Sequence, residues 1–153
     1  MVERINNIKL GVIGLFRTNY FNQFHIREMA KLIEKSHVSL LPHLKSFEKD
    51  KILTSKEVGK SRVYSLNLEN NQVREFLSLS EKKETLNLLN KEFLIKKLYD
   101  EFLNLNLNGC LILFGSHASL TYNKESDIDL LYIGEIKESE RKKIKEFGKV
   151  YNK

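Results

Sequence analysis

The sequence has 153 residues, of which 41% are hydrophobic and 30% charged, a balance typical of globular domains that excludes a disordered or fibrous chain. No apolar run approaches the roughly 20 residues of a membrane span, no secretory signal is present, and the single cysteine excludes a disulfide scaffold, so a cytoplasmic protein without a membrane partner is expected. The net charge is +6, and most of it lies in residues 1–70, where 12 Lys/Arg stand against 7 Asp/Glu, an asymmetry typical of nucleic-acid-binding modules.

The first 35 residues contain two hydrophobic patterns with helical spacing. The first recurs at i, i+3, i+7 and i+10 and comprises Ile5, Ile8, Val12 and Leu15. The second recurs at i, i+3, i+4 and i+7 and comprises Ile26, Met29, Ala30 and Ile33. The polar residues 17–19 separate the two sets. The pattern therefore predicts two amphipathic helices.

A third helix is predicted after Ser36, whose side chain is suited to cap a helix N-terminus. Its inward face would consist of Leu40, Leu44 and Phe47. Pro42 removes a backbone donor, so the helix is expected either to begin later, near Ser39, or to be kinked.

A β-hairpin is predicted next, because residues 52–54 and 63–66 alternate with the period of a strand. The residues between them, 55–60, are polar and basic and include a glycine. They are expected to form the tip of the hairpin.

Three short helices followed by a hairpin resemble the winged helix-turn-helix family, and the resemblance covers residues 3–68. The stretches that match best are FHIREMAK (24–31), residues 44–53 and GKSRVYSLN (59–67). The resemblance implies that the third helix enters the major groove of double-stranded DNA and that the wing touches the backbone. The residues it implicates are Ser36, His37, Ser39, His43 and Lys45 on the helix and Lys56, Lys60 and Arg62 on the wing. Use of this module for protein contact or for homodimerisation stays an open alternative.

A connecting helix is expected between the two halves of the chain. The Ser78-x-x-Glu81 pattern has the form of a capping box and predicts a helix start there. A helical stripe follows and comprises Leu88, Ile95, Leu98, Tyr99 and Phe102. The predicted domains are thus 1–70, the connecting region 71–107, and 108–153.

The segment 110–133, CLILFGSHASLTYNKESDIDLLYI, carries the chemistry. It reads as a buried strand, a Gly-Ser turn, a ten-residue spacer, an Asp-x-Asp triplet and a second apolar strand. Cys110 is expected to be an inert core residue of the first strand. Aspartates two apart on a strand point to the same side, and Ile128 between them would point to the core.

The residue types in this segment suit phosphate and metal binding. A glycine at the end of a strand allows the close approach of a phosphate, and Ser116 adds a hydroxyl and an N–H. Two neighbouring carboxylates repel each other unless a cation lies between them, and Mg²⁺ prefers carboxylate and phosphate oxygens. The combination predicts metal-assisted phosphoryl or nucleotidyl transfer.

The order of these elements resembles the minimal nucleotidyltransferase family of the polymerase-β-like superfold, over residues 109–134. The resemblance implies that Gly115 and Ser116 hold a nucleoside triphosphate, ATP or another, and that Asp127 and Asp129 bind Mg²⁺ and are catalytic. It also implies a third carboxylate on a strand that would come after a helix at 139–147. The printed sequence reaches Lys153 without one, so the catalytic set is expected to be incomplete in these 153 residues.

Two functions remain open at this point. The expected fold is α+β, with a winged helix-turn-helix, a connecting helix and an α/β nucleotidyltransferase-like domain. The first function is Mg²⁺-dependent transfer of a nucleoside monophosphate to an unidentified acceptor, with a partner protein as one candidate acceptor. The alternative is a DNA-binding transcriptional regulator whose transferase-like domain is inactive or senses nucleotides.

Overall fold

The chain folds as two units, residues 1–85 and residues 86–153. The computed structural model describes residues 5–59, 61–119 and 121–151, with side chains up to residue 146. No helix in these described stretches has the length and apolar character needed to cross a lipid bilayer.

The first unit begins with three helices and a short strand: α1 (Asn7–Gly14), β1 (Phe24–His25), α2 (Ile26–Leu32) and α3 (His37–Lys49). The two strands β2 (Leu53–Val58) and β3 (Ser61–Leu66) follow as an antiparallel hairpin. β1 pairs with the other side of β3, so the sheet order is β1-β3-β2. Three helices packed on a three-stranded sheet with a protruding hairpin are the winged helix-turn-helix arrangement, as predicted.

The core of this unit lies between the three helices and the sheet. Of the residues in the predicted helical patterns, Met29 and Ala30 on α2 and Leu40, Leu44 and Phe47 on α3 are buried. Ile8, Leu15, Ile26 and Ile33 are partly buried against this core. Phe16 and Phe24 contact each other edge to face in this core, with ring centroids 5.1 Å apart. Ile5 is the exception among the predicted positions, because it precedes α1 and is exposed.

α3 begins at His37 and not near Ser39. The Ser36 side chain accepts a hydrogen bond from the backbone N–H of Ser39 at 3.2 Å, which caps the helix at its first turn. Pro42 lies inside the helix, and helical structure continues through it to Lys49. A good cap and a buried face therefore outweigh the one backbone donor that proline lacks.

The hairpin is longer than predicted. Residues 55–58, which were expected to belong to the tip, continue β2 and pair with β3 as far as Val58 opposite Ser61. Gly59 follows β2 at the turn with φ +61, a left-handed conformation that glycine adopts without strain. Polar residues are compatible with a strand here because both faces of the protruding hairpin reach solvent.

α4 (Asn71–Lys91) begins seven residues before the predicted start at Ser78, which lies within the helix. The signal that was missed is Asn70, whose side-chain oxygen accepts a hydrogen bond from the N–H of Gln72 at 2.9 Å. The connecting region also contains two helices where one was expected, because Glu92 has an extended backbone and separates α4 from α5 (Phe93–Asn104). The capping-box prediction was therefore wrong.

The second unit contains α5 and a two-stranded antiparallel sheet of β4 (Gly109–Phe114) and β5 (Asp129–Gly134). The short helix α6 (Gly115–Ser119) follows β4 directly, and α7 (Glu138–Tyr151) follows β5. Ile95 and Leu98 of α5 are buried. These two strands were predicted from their apolar residues, and both form.

β4 is not the fully buried strand that was predicted. Cys110, Ile112 and Phe114 are exposed, so the expectation that Cys110 is a core residue was wrong. Their partners on the same face are Ile133, Leu131 and Asp129. In the described part of the chain this face of the two-stranded sheet is exposed at these β4 positions, so the apolar run by itself did not determine burial.

Candidate functional site

Gly115 and Asp129, fourteen positions apart, are brought together at one end of the β4–β5 sheet. Asp129 is the first residue of β5 and lies opposite Phe114, the last residue of β4. Gly115 comes next in the chain and turns with φ +69. A Cβ at position 115 would lie 3.0 Å from Cγ of Asp129 and closer still to its Oδ2. The carboxylate therefore occupies the space that any larger residue at 115 would need.

Asp127 lies in the loop before β5 and is exposed, whereas Asp129 is half-buried. The prediction that both aspartates belong to a strand was thus wrong for Asp127, because pairing with β4 begins only at Asp129. Ile128 between them is half-buried. The Asp129 carboxylate thus lies against the glycine turn, and the Asp127 side chain, two residues earlier, is exposed to solvent.

A closed turn leads into Asp127. The hydroxyl of Ser126 accepts a hydrogen bond from the N–H of Asn123 at 2.9 Å, and the Asn123 side chain accepts one from the N–H of Glu125 at 2.8 Å. The N–H of Ser126 donates back to the carbonyl of Asn123 at 3.2 Å. These local bonds define the backbone from which Asp127 follows.

His117 links the short helix to this turn, a connection that sequence reasoning missed. Its side chain is buried, and Nε2 lies 3.4 Å from the carbonyl oxygen of Ser126. Its ring stacks on Tyr122 with centroids 4.3 Å apart. Nδ1 has no hydrogen-bond partner among the described residues. A lone histidine after Gly-Ser offered no sequence signal for this packing.

Tyr122 extends the connection to the break between α4 and α5. Its hydroxyl donates a hydrogen bond to the carboxylate of Glu92. This hydrogen bond, with smaller effects from burial and from the carboxylate charge, raises the pKa of Tyr122 above its usual value. The loop between Gly115 and Asp129 is therefore tied to the rest of its unit at Glu92.

The carboxylate pair is the candidate cation ligand of this unit. No group of three or more His, Cys, Asp and Glu side chains within the described stretches could hold a metal ion. Mg²⁺ is commonly bound by one or two protein carboxylates together with waters and substrate phosphates. Asp127 and Asp129 therefore fit such an ion through the chemistry of their donors, with the remaining ligands coming from a nucleotide and water.

The residues proposed to face DNA lie on α3 and the hairpin in different environments. His37, Lys45, Lys56 and Arg62 are exposed, while Ser39 and His43 are half-buried; Ser36 is exposed at the helix cap. Lys60 lies outside the described residues. Arg62 forms an ion pair with Glu48 at 3.8 Å, so part of its charge is offset within the unit.

Comparison with known proteins yields a family for the C-terminal part of the chain. The model of the nucleotidyltransferase domain family matches residues 95–153. This range includes the Gly115 turn and both aspartates. No curated protein matches the chain.

Solved structures similar to the chain include a repressor and a transcription regulator. The adhesin competence repressor AdcR from Streptococcus pyogenes is 17% identical, with a TM-score of 0.47, over 68% of this chain and 81% of that one. MepR, a transcription regulator of a Staphylococcus aureus multidrug efflux pump, is 12% identical, with a TM-score of 0.45, over 66% and 77%. Lactococcus lactis ZitR, solved in complex with DNA, is 13% identical, with a TM-score of 0.42, over 69% and 75%.

These likenesses are distant, so the assignment of the N-terminal fold depends on this chain's own helix order and on its β1-β3-β2 sheet. The assignment of the C-terminal segment depends on the family match. The chain therefore joins an N-terminal winged helix-turn-helix unit to a C-terminal segment that matches the nucleotidyltransferase domain family over residues 95–153.

Proposed function

We propose that the C-terminal unit binds a nucleoside triphosphate with Mg²⁺ and transfers its nucleoside monophosphate to an acceptor hydroxyl. The observation that carries the proposal is the contact between Gly115 and the carboxylate of Asp129. This contact places the glycine turn, where a side chain at position 115 would not fit, directly beside one aspartate of the Asp-x-Asp pair. In the transfer, a bond forms between the acceptor oxygen and the α-phosphorus, and the bond to the leaving pyrophosphate breaks.

The roles of the residues follow from their positions. Gly115 leaves the space that the Asp129 carboxylate fills. Ser116 would supply an N–H and a hydroxyl to a phosphate of the nucleotide. Asp127 and Asp129 would hold Mg²⁺, which neutralises charge on the phosphates when it is bound. The closed turn at Asn123–Ser126 and the buried ring of His117 keep the Asp127 segment in place. ATP is the first nucleotide to test, and a partner protein is one candidate acceptor.

The first test is calorimetry with ATP, in the presence and absence of Mg²⁺. We expect Mg²⁺ to raise the affinity for ATP, because a cation between the carboxylates and the phosphates removes their mutual repulsion. Exchanging both aspartates, Asp127→Asn with Asp129→Asn, should abolish this increase and lower the affinity at least about tenfold in the presence of Mg²⁺. Glu125→Gln, which removes an exposed carboxylate from the same loop, serves as the matched control and should keep the effect of Mg²⁺.

Two outcomes would count against the enzyme. If the wild-type chain binds no nucleotide under any metal condition, the transferase proposal fails. If it binds nucleotide but no label moves from ATP labelled at the α-phosphate to any acceptor, the alternative of a nucleotide-sensing regulator is favoured.

The second proposed function is binding of double-stranded DNA by the winged helix-turn-helix unit. The supporting observation is that Lys45 on α3 and Lys56 and Arg62 on the hairpin are all exposed, in a part of the chain with an excess of positive charge. Contacts of this kind go to phosphates, so they set affinity for DNA of any sequence.

Lysine substitutions test this second function. Lys45→Ala with Lys56→Ala should weaken binding to a random-sequence duplex and reduce the slope of log affinity against log salt by about 2, since each phosphate that is no longer neutralised keeps about one counterion. Lys82→Ala, which removes an exposed charge from α4, should leave the slope unchanged. Fluorescence anisotropy at several salt concentrations measures both. Equal slopes for all three proteins would contradict a DNA-facing role for α3 and the hairpin.

A further inference from the structure

α3 presents an apolar stripe to solvent on the side opposite to its buried face. Successive residues of an α-helix are rotated by about 100°, so Val38, Leu41 and Lys45 lie on one side of the helix while Leu40 and Leu44 lie on the other. Leu40 and Leu44 are fully buried. Val38 is 61% exposed and Leu41 38% exposed. Neither of these two residues belongs to the DNA-facing set that the sequence predicts.

Two polar residues at the start of α3, Ser36 and Ser39, are engaged in the helix cap, and His37 between them in sequence is exposed. The hydroxyl of Ser36 accepts from the N–H of Ser39, and the hydroxyl of Ser39 donates to the carbonyl of Ser36 at 2.7 Å. On the stripe itself, the groups that its first half presents to solvent are the methyl groups of Val38 and Leu41.

The surroundings of the stripe are basic. Lys45 continues it one turn further on, and Lys49 follows in the last turn of α3; both are exposed. Lys56 is exposed on the adjoining hairpin, as is Arg62, whose charge is partly offset by its ion pair with Glu48. Residues 1–70 carry 12 Lys/Arg against 7 Asp/Glu. An apolar strip with cations at its end and beside it complements a surface that has methyl groups between rows of anions. The major groove of DNA is such a surface, because thymine places its 5-methyl group there between the two phosphate backbones.

We propose that Val38 and Leu41 contact thymine 5-methyl groups in the major groove and so determine which sequences the winged helix-turn-helix unit prefers. This inference depends on the proposed binding of double-stranded DNA and adds the chemistry of the bases that are read. Lys45 and the hairpin cations supply sequence-independent affinity, and the two aliphatic side chains supply discrimination. The preferred sites accordingly contain A·T pairs beneath the first two turns of α3.

The test compares thymine with uracil, which differs only by the absence of the 5-methyl group. Duplexes that bind the full chain are selected from a random pool and remade with deoxyuridine at every thymine of the site. We expect about fourfold weaker binding for each contacted methyl group that is removed, since burying one such group contributes roughly 0.8 kcal/mol. A duplex with deoxyuridine in the flanks alone should bind as well as the thymine form.

Variants assign the effect to the two side chains. Val38→Ala with Leu41→Ala should bring the thymine-to-uracil affinity ratio close to one. Both positions are exposed, so the melting temperature should show that the fold is kept. Lys45→Ala should weaken binding to both duplexes and preserve the ratio of the wild-type chain.

Each contrary outcome has a distinct meaning. Equal binding of the thymine and uracil duplexes by the wild type overturns the thymine inference and leaves the proposed DNA binding intact. Absence of binding to any selected duplex overturns both. Self-association that Val38→Ala with Leu41→Ala abolishes, with no duplex bound, would identify the stripe as a contact between copies of the chain and also overturns the inference.

Discussion

At the scale of single residues, Gly115 is subject to two constraints at once. Its φ of +69 lies in the left-handed region, and the Asp129 carboxylate fills the space where a side chain would begin. Gly59 shares the first constraint with φ +61, but none of the described atoms lies within 4 Å of the place where its Cβ would be. Comparing substitutions at the two glycines therefore distinguishes the cost of backbone strain from the cost of steric overlap.

This pair predicts a graded loss of stability. Gly59→Ala should lower the free energy of unfolding by about 1 kcal/mol through the left-handed backbone alone. Gly115→Ala should lower it by about 3 kcal/mol, because the carboxylate must also move. Amide hydrogen exchange at increasing urea concentrations measures the loss of unfolding free energy for each unit separately.

A double-mutant comparison isolates the overlap. In the Asp129→Ala background, Gly115→Ala should cost close to what Gly59→Ala costs in the wild type. An undiminished cost in that background would show that Asp129 does not restrict position 115.

At the scale of elements, Asn70 connects the start of α4 to the end of α3. Its side-chain oxygen caps α4 at Gln72, and its Nδ2 donates to the carbonyls of Asp50 and Lys51, both at 2.9 Å. Lys51 has φ +55, an unfavourable value for a side-chain-bearing residue. One amide therefore supports both the helix start and the turn that leads from α3 into the hairpin.

Asn70→Ala should destabilise the first unit by about 2 kcal/mol, through loss of the cap and of the hydrogen bonds to the turn. Asn71→Ala, at the exposed first residue of the helix, should change stability by less than about 0.5 kcal/mol. Thermal or urea unfolding of the full chain measures both. Similar losses for the two variants would mean that the cap contributes little.

At the scale of the whole molecule, the two proposed functions belong to two different units. Residues 1–85 contain a winged helix-turn-helix, and the nucleotidyltransferase family match begins at residue 95. The excess positive charge lies in the first of these, since residues 1–85 have 15 Lys/Arg against 10 Asp/Glu and residues 86–153 have 11 against 10. The charge excess and the family match thus lie in separate parts of the sequence, and each supports one of the two proposed functions.

Much of the first unit was predictable from the sequence. The buried faces of α2 and α3 follow from helical spacing, because a helix that packs on one side must repeat its apolar residues every three to four positions. The Ser36 cap and both hairpin strands are likewise local features. The strand β1 was not predicted, since two residues are too few for a pattern and pair only because β3 lies beside them.

Helix boundaries were less predictable where two local signals competed. Ser78 with Glu81 has the form of a cap, but Asn70 starts the helix because its amide also reaches the turn at Asp50 and Lys51. That second role depends on residues about twenty positions away. The helix break at Glu92 likewise involves a residue far along the chain, since the Glu92 carboxylate accepts a hydrogen bond from the hydroxyl of Tyr122.

For the candidate site, the sequence by itself determined the residue types and their order: a strand, Gly-Ser, a spacer, Asp-x-Asp and a second strand. Only the tertiary structure decided that Asp129 rests against Gly115, that Asp127 lies before the strand, and that His117 is buried against Tyr122. The physical reason is that spacing along a chain sets local conformation, whereas antiparallel pairing of β4 with β5 sets which distant residues meet. It likewise took the packed helices to show that Val38 and Leu41 remain uncovered, since an apolar residue's exposure depends on what packs against it.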